Sequence, residues 1–170
     1  MEDVRDVWEA VFENGDIVVK EGDLAKLKER GYGDFADGVF KLSPLGAFFL
    51  ADRGKLKILK NGRCLGLSEI AKLLAECDKN FWIKYLVYSD LRKKGFIVIE
   101  GFRDEPELLI KRREDGFFKT IVRILVEGAR VGFRELSSIL GQAMRTGKDV
   151  IICIVDKEGN TSYYQIFKLS

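Results

Sequence analysis

A chain of 170 residues is long enough for one domain or for two small ones sharing an interface, and 46% hydrophobic residues is enough for a folded core. Charged residues make up 33%, yet 29 basic and 27 acidic side chains nearly cancel, a balance that suits a soluble protein rich in ion pairs better than a stand-alone nucleic-acid binder. There is no histidine, which removes the one side chain that titrates near neutrality unaided and any ordinary His-containing zinc site.

Trp8, Ala10 and Phe12 alternate with Val7, Glu9 and Val11, and Asn14-Gly15 separates this run from Ile17-Val18-Val19. An Asn-Gly between two such runs predicts a hairpin. Asp23 can cap a short helix holding Leu24 and Leu27 that stops at Gly31. A strand over Val39 to Leu42 leads to Ser43-Pro44, a cap with proline in the first turn of a mostly buried helix that ends at Arg53-Gly54. Lys55 to Ile58 alternates wet and dry, Asn61-Gly62 signals a second hairpin, Cys64 to Leu67 is the return, and Ser68 caps a helix with Ile70, Leu73 and Leu74 inside. The three cysteines, Cys64, Cys77 and Cys153, lie far apart among apolar neighbours and read as small buried thiols.

From Phe81 the apolar positions Ile83, Val87 and Leu91, widened by Phe81, Tyr85 and Tyr88, predict a helix with one buried face. Lys84, Ser89, Arg92 and Lys93 are expected in water. Asp90 supports Lys94 one turn on, and Gly95 is placed to end the helix in a left-handed cap. Phe96 to Ile99 is apolar without a break and predicts a central strand covered on both faces. Leu108 to Ile110 predicts a strand, Phe117 to Val126 a long return, and Phe133 to Met144 a helix burying Leu136, Ile139, Leu140 and Met144. Val150 to Val155 predicts another central strand, and Thr161 to Phe167 the last one. The expected fold is α+β in two parts. Residues 1–78 form a small antiparallel sheet with three helices, and 79–170 form a mixed sheet flanked by two helices. No run of about 18 apolar residues appears and MEDVRDVWEA is too acidic for a signal peptide, so the expected location is cytoplasmic, without a membrane.

Phe81-Trp82, Tyr85, Tyr88-Ser89-Asp90-Leu91-Arg92 and Lys94-Gly95-Phe96 resemble the segment that opens the C-terminal domain of archaeal tRNA-splicing endonucleases, an F-W-x-K-Y-x-V-Y-x-D-L-R-x-R-G pattern followed by a strand and a glycine. Gly15-Asp16-Ile17-Val18, Tyr32-Gly33 and Leu42-Ser43 through Lys55-Leu56 similarly resemble the family's N-terminal domain, with Gly46 in place of a family glutamate. The resemblance implies a restriction-endonuclease-like C-terminal fold and metal-independent RNA scission by a tyrosine, a histidine and a lysine. Here Lys111 stands where the phenol would be and Phe117 where the imidazole would be, and the lysine falls on Lys148 or Asp149. A phenylalanine exchanges no proton, so the expected role is a non-catalytic, structural subunit, with no cofactor.

What remains is assembly. The resemblance implies a heterotetramer with a catalytic endonuclease subunit, two of each, acting on pre-tRNA at bulge-helix-bulge intron boundaries. The turn with Asp156 and Glu158 resembles an acidic loop that docks into a basic cleft of the opposing subunit, and the last strand, with Tyr163, Tyr164 and Ile166, resembles one that pairs tail to tail with a neighbour. Which tyrosine faces the partner stays open. Arg145 and Lys148 are the candidates for RNA phosphates. Two other readings compete: a divergent endonuclease using a different acid and base, and a plain RNA-binding module. Asp104, Glu105 and Glu107 lack a lysine at a useful spacing and are expected in a solvated loop rather than around a metal.

Overall fold

The computed structural model describes residues 7–101 and 105–167. The chain divides into two compact units, Met1–Phe81 and Trp82–Ser170. Together they give the mixed α+β architecture expected, with one sheet in each.

Among the described residues the first unit carries strands β1 (Trp8–Glu13), β2 (Asp16–Val19), β3 (Gly33–Ala36), β4 (Val39–Leu42), β5 (Leu56–Lys60) and β6 (Arg63–Cys64), with helices α1 (Leu24–Glu29), α2 (Pro44–Asp52) and α3 (Leu67–Cys77). Asn14 and Gly15 both adopt positive φ, 52° and 84°, and the resulting turn sets Phe12 opposite Ile17. The Asp23 carboxylate accepts the Lys26 N–H at 3.1 Å and the Ser43 hydroxyl accepts that of Gly46 at 3.1 Å, so both expected caps form. The sheet runs β3-β4-β2-β1-β5-β6.

Several expectations for this unit need correction. The sheet is not wholly antiparallel: β1 and β5 run parallel, because the chain between them crosses over through α2. Strand β3 has no counterpart in the sequence reading, although Asp37-Gly38, at φ 53° and 78°, is a third hairpin turn of the same kind. Leu67 opens α3 instead of closing a strand, and Ser68 lies inside it; Gly66 takes the cap, its N–H held by the Glu69 carboxylate at 2.8 Å. Cys64 and Cys77 are exposed, and Cys153 alone of the three is buried.

The second unit continues α4 (Phe81–Lys93) into strands β7 (Ile97–Glu100), β8 (Glu107–Lys111) and β9 (Thr120–Val126), helix α5 (Phe133–Thr146), and strands β10 (Asp149–Val155) and β11 (Thr161–Ile166). The sheet order is β11-β10-β9-β8-β7, so the apolar run at Ile97 is an edge strand and not a central one. Neighbours are antiparallel except β9 and β10, which α5 joins as a crossover. The α5 side of the sheet buries Leu109, Ile121, Val150 and Ile152 against Ile139 and Ala143 of the helix. Met144, expected inside, is 65% exposed, because Ala143 takes the inward position. Phe117 and Phe118 precede β9 and are not part of it. Lys84 and Arg92, expected in water, are half-buried: Lys84 pairs with Glu100 at 3.2 Å, and the Arg92 guanidinium donates to the Val98 carbonyl at 3.0 Å.

A charged cluster lies under the first turns of α5. Arg123 is 3% exposed, stands opposite Glu107 (2% exposed) across β9 and β8, and pairs with Glu105 and with Glu135 of α5, the latter at 3.1 Å. Glu107 is therefore a strand residue packed against Gly101, where an added Cβ would lie 2.6 Å from its Oε1, and not part of a solvated loop. Asp104 lies outside the described residues. No group of three acidic, cysteine or histidine residues among the described residues could hold a metal ion, and none of the described helices is long and apolar enough to cross a membrane.

The other side of the sheet is tied to α4. The Asp90 carboxylate accepts the Tyr163 hydroxyl at 2.5 Å, the Thr161 hydroxyl at 3.2 Å and the Lys94 ammonium at 2.6 Å, joining α4 to β11 over 73 residues of chain. Burial pushes the Asp90 carboxyl up, but the hydrogen bonds from Lys94 and Tyr163 together outweigh it and hold the group below its usual range. Burial, then the bond to Asp90, keeps the Tyr163 proton on well above the usual phenol range.

Replacing Arg123 by Ala leaves carboxylates under α5 without their cation and is expected to lower stability by about 3 kcal/mol, read from urea unfolding; an unchanged midpoint would show that the cluster does not tie helix to sheet. For Asp90→Asn the expected loss is about 1.5 kcal/mol at neutral pH. A carboxyl held low when folded contributes stability above its unfolded value, and the contribution disappears as pH falls through the folded one. The deficit of the variant should therefore shrink below about pH 4, and a gap that stays constant down to pH 3 would contradict the assignment.

Candidate functional site

Three segments converge at one end of the second sheet. After Lys111 the chain turns at Arg112–Asp115, closed by the Asp115 carboxylate, which accepts the Arg112 N–H at 3.1 Å and the Lys119 ammonium at 2.5 Å. The bond from Lys119, then that from Arg112, holds the Asp115 carboxyl below its usual range. The turn delivers Phe117 and Phe118 to the start of β9, where Phe118 packs against the core under α5. From the other direction, α5 ends on Gly147 at φ 64°, a left-handed cap that releases the chain sharply toward β10.

Lys148 follows that cap and donates its ammonium to the Phe118 carbonyl at 2.6 Å. The Lys111 ammonium lies 5.3 Å from the centre of the Phe118 ring. Lys111 and Lys148, far apart in sequence, thus meet on one residue. Phe117, its neighbour, is 62% exposed, with the Lys119 ammonium 5.7 Å from its ring centre. Asp149 opens β10 with its N–H on the Lys119 carbonyl at 2.9 Å and its side chain exposed. Arg145 is exposed on the last turn of α5. The positions matched to the phenol, the imidazole and the lysine are therefore gathered in one corner. The corner supplies cations and hydrocarbon rings, which can attract phosphate; neither Lys111 nor Phe117 supplies a phenol or an imidazole to move a proton.

The expected docking residues separate into two kinds. Asp156 turns inward on its own loop: Oδ1 accepts the N–H groups of Glu158 at 2.8 Å and Asn160 at 2.9 Å, and Oδ2 accepts the Asn160 side-chain amide at 2.8 Å. These bonds, led by that amide, hold its carboxyl below the usual range. Glu158 is exposed at the tip. On the edge strand β11, Tyr163 points toward α4 through Asp90, opposite the buried Cys153, whose thiol burial pushes up to about 11. Tyr164 is 56% exposed on the other face, and Ile166 packs partly on the core under α5. The sequence left the two tyrosines undecided; the hydrogen bond to Asp90 separates them. Phe118 is a site residue that the sequence does not single out; its place beside Phe117, two residues before β9, is the one local signal for it.

Residues 8–71 match the family model described as tRNA intron endonuclease, N-terminal domain, and residues 81–163 match that described as tRNA intron endonuclease, catalytic C-terminal domain. The chain is 31% identical over 137 residues to the tRNA-splicing endonuclease of Pyrococcus abyssi, covering 81% of each protein. It is 32% identical to that of Thermococcus gammatolerans over 81% of this chain and 83% of the relative, and 31% identical to that of Methanothermobacter thermautotrophicus over 79% and 81%. Matches to both domains in order, and relatives aligned along most of their length, establish that the chain belongs to the tRNA intron endonuclease family.

Proposed function

We propose that this chain is a non-catalytic subunit of a tRNA-splicing endonuclease, which assembles with a catalytic sister polypeptide, two of each, and positions it on pre-tRNA at bulge-helix-bulge intron boundaries in the cytoplasm. One observation carries the reading: Phe117 occupies the place matched to the family imidazole in a chain that has no histidine at all. Losing one member of a set of groups that act together costs several powers of ten in rate, and here Lys111 also replaces the phenol. Lys148, which reaches the same corner through Phe118, is the better counterpart of the family lysine than the outward Asp149. On this reading residues 1–78 form a supporting domain and 79–170 a catalytically degenerate one.

The docking surfaces support the same role. Glu158, carried on the turn that Asp156 braces, would enter a basic cleft of the sister subunit, and the edge of β11 with Tyr164 and Ile166 would pair with its counterpart. Arg145 and Lys148 would face RNA phosphates.

Purified chain is expected to leave a bulged pre-tRNA intact in the presence of chelator, and a histidine-bearing subunit of the family from the same cell is expected to restore cutting; scission by this chain alone would overturn the reading. In co-purification with that subunit, Glu158→Lys and Tyr164→Ala should each weaken capture at least tenfold without lowering the melting temperature, and capture at the unaltered level by both variants would remove the docking surfaces from the proposal.

A further inference from the structure

The corner that lacks an imidazole is not chemically empty. Phe117 stands 62% exposed at the end of the basic turn, while its neighbour Phe118 is held inward by the core, by Lys111 against its ring at 5.3 Å and by Lys148 on its carbonyl at 2.6 Å. The residue next to Phe117 is therefore held on three counts. Beside Phe117, Gly116 has nothing within 4 Å of where a side chain would start. Lys119 lies 5.7 Å from the ring centre and is itself tethered to Asp115 at 2.5 Å. Arg112 and Arg113 are exposed on the same turn. An exposed ring with the Lys119 ammonium near it, on a turn that also carries the exposed Arg112 and Arg113 beside Glu114 and Asp115, has the elements of a platform for an unpaired base. The base lies on the ring and the adjoining phosphates meet the cations.

We propose that Phe117 is a stacking platform for an unpaired RNA nucleotide, with Lys119, Arg112 and Lys148 around it for the phosphates. The inference rests on the reading of this chain as a tRNA-splicing endonuclease subunit only in taking RNA as the ligand. A paired base has both faces covered by its neighbours in the helix and cannot use the ring, so the platform distinguishes extruded nucleotides from duplex. The place matched to the proton-transfer group would then serve recognition instead of scission.

The test measures binding of the full-length chain to two fluorescent RNA hairpins, one with an unpaired bulge and one fully paired, both 2′-O-methylated so that no cleavage by any protein contributes. Phe117→Ala is expected to weaken the bulged hairpin by about five- to a hundredfold and to leave the paired one unchanged. Phe117→Trp should retain affinity and show indole quenching that the unaltered chain lacks. The ring is exposed, so both variants should keep the circular dichroism and melting temperature of the parent. Equal affinity of Phe117→Ala and the parent for the bulged hairpin would overturn the inference. So would equal losses on both hairpins, failure of the parent to bind either RNA alone or with the catalytic subunit, or loss of subunit capture with RNA binding intact, which would make the ring a protein contact. Because the probes cannot be cut, these outcomes are independent of whether the chain cleaves RNA by itself.

Discussion

The carboxylate of Asp90 is the constraint from which the second unit takes its form. It collects donors from its own helix, through Lys94, and from the last strand, through Thr161 and Tyr163. A half-buried carboxylate is costly without such donors, so the network and the packing of the α4 face support each other. Fixing Tyr163 inward also fixes the alternation of β11, because neighbouring side chains of a strand point to opposite faces. Tyr164 and Ile166 then share the α5 face, Tyr164 exposed and Ile166 packed partly on the core, while Gln165 lies on the face of Tyr163 and is exposed. One hydrogen bond thus decides what the free edge of the sheet displays.

Much of this architecture was legible in the sequence. Asn14-Gly15 and Asn61-Gly62 announced their hairpins because few other pairs tolerate two successive positive φ angles, and Ser43-Pro44 announced α2 because hydroxyl and ring each suit one helical position. What failed depended on distant chain. An unbroken apolar run at Ile97 reads as a central strand, yet β7 is an edge strand. Nor does local sequence reveal that Leu56 runs parallel to Trp8, since that pairing follows from the crossover through α2. Glu107 reads as one of three solvated acids, but its burial depends on distant chain, since it stands opposite Arg123 on the next strand and packs against Gly101.

The candidate site divides in the same way. The expectation that Lys111 and Phe117 stand in the places of a phenol and an imidazole comes from the resemblance of short motifs. That Lys148 rather than Asp149 turns into the corner does not, because it depends on the left-handed cap at Gly147 and on the Phe118 carbonyl it finds there. On the proposed reading, the corner holds its shape without the proton-transfer groups that the family resemblance implies. A frame held by backbone acceptors and core packing does not require the chemistry that once used it.

The turn after β10 carries a kinetic consequence. Its acid has already spent both oxygens on its own loop, so the hairpin tip stands in one shape before any partner arrives. If the proposed docking holds, association through this tip would sacrifice little loop freedom, and the lifetime of such a complex would be governed by how well Glu158 is matched once stripped of water.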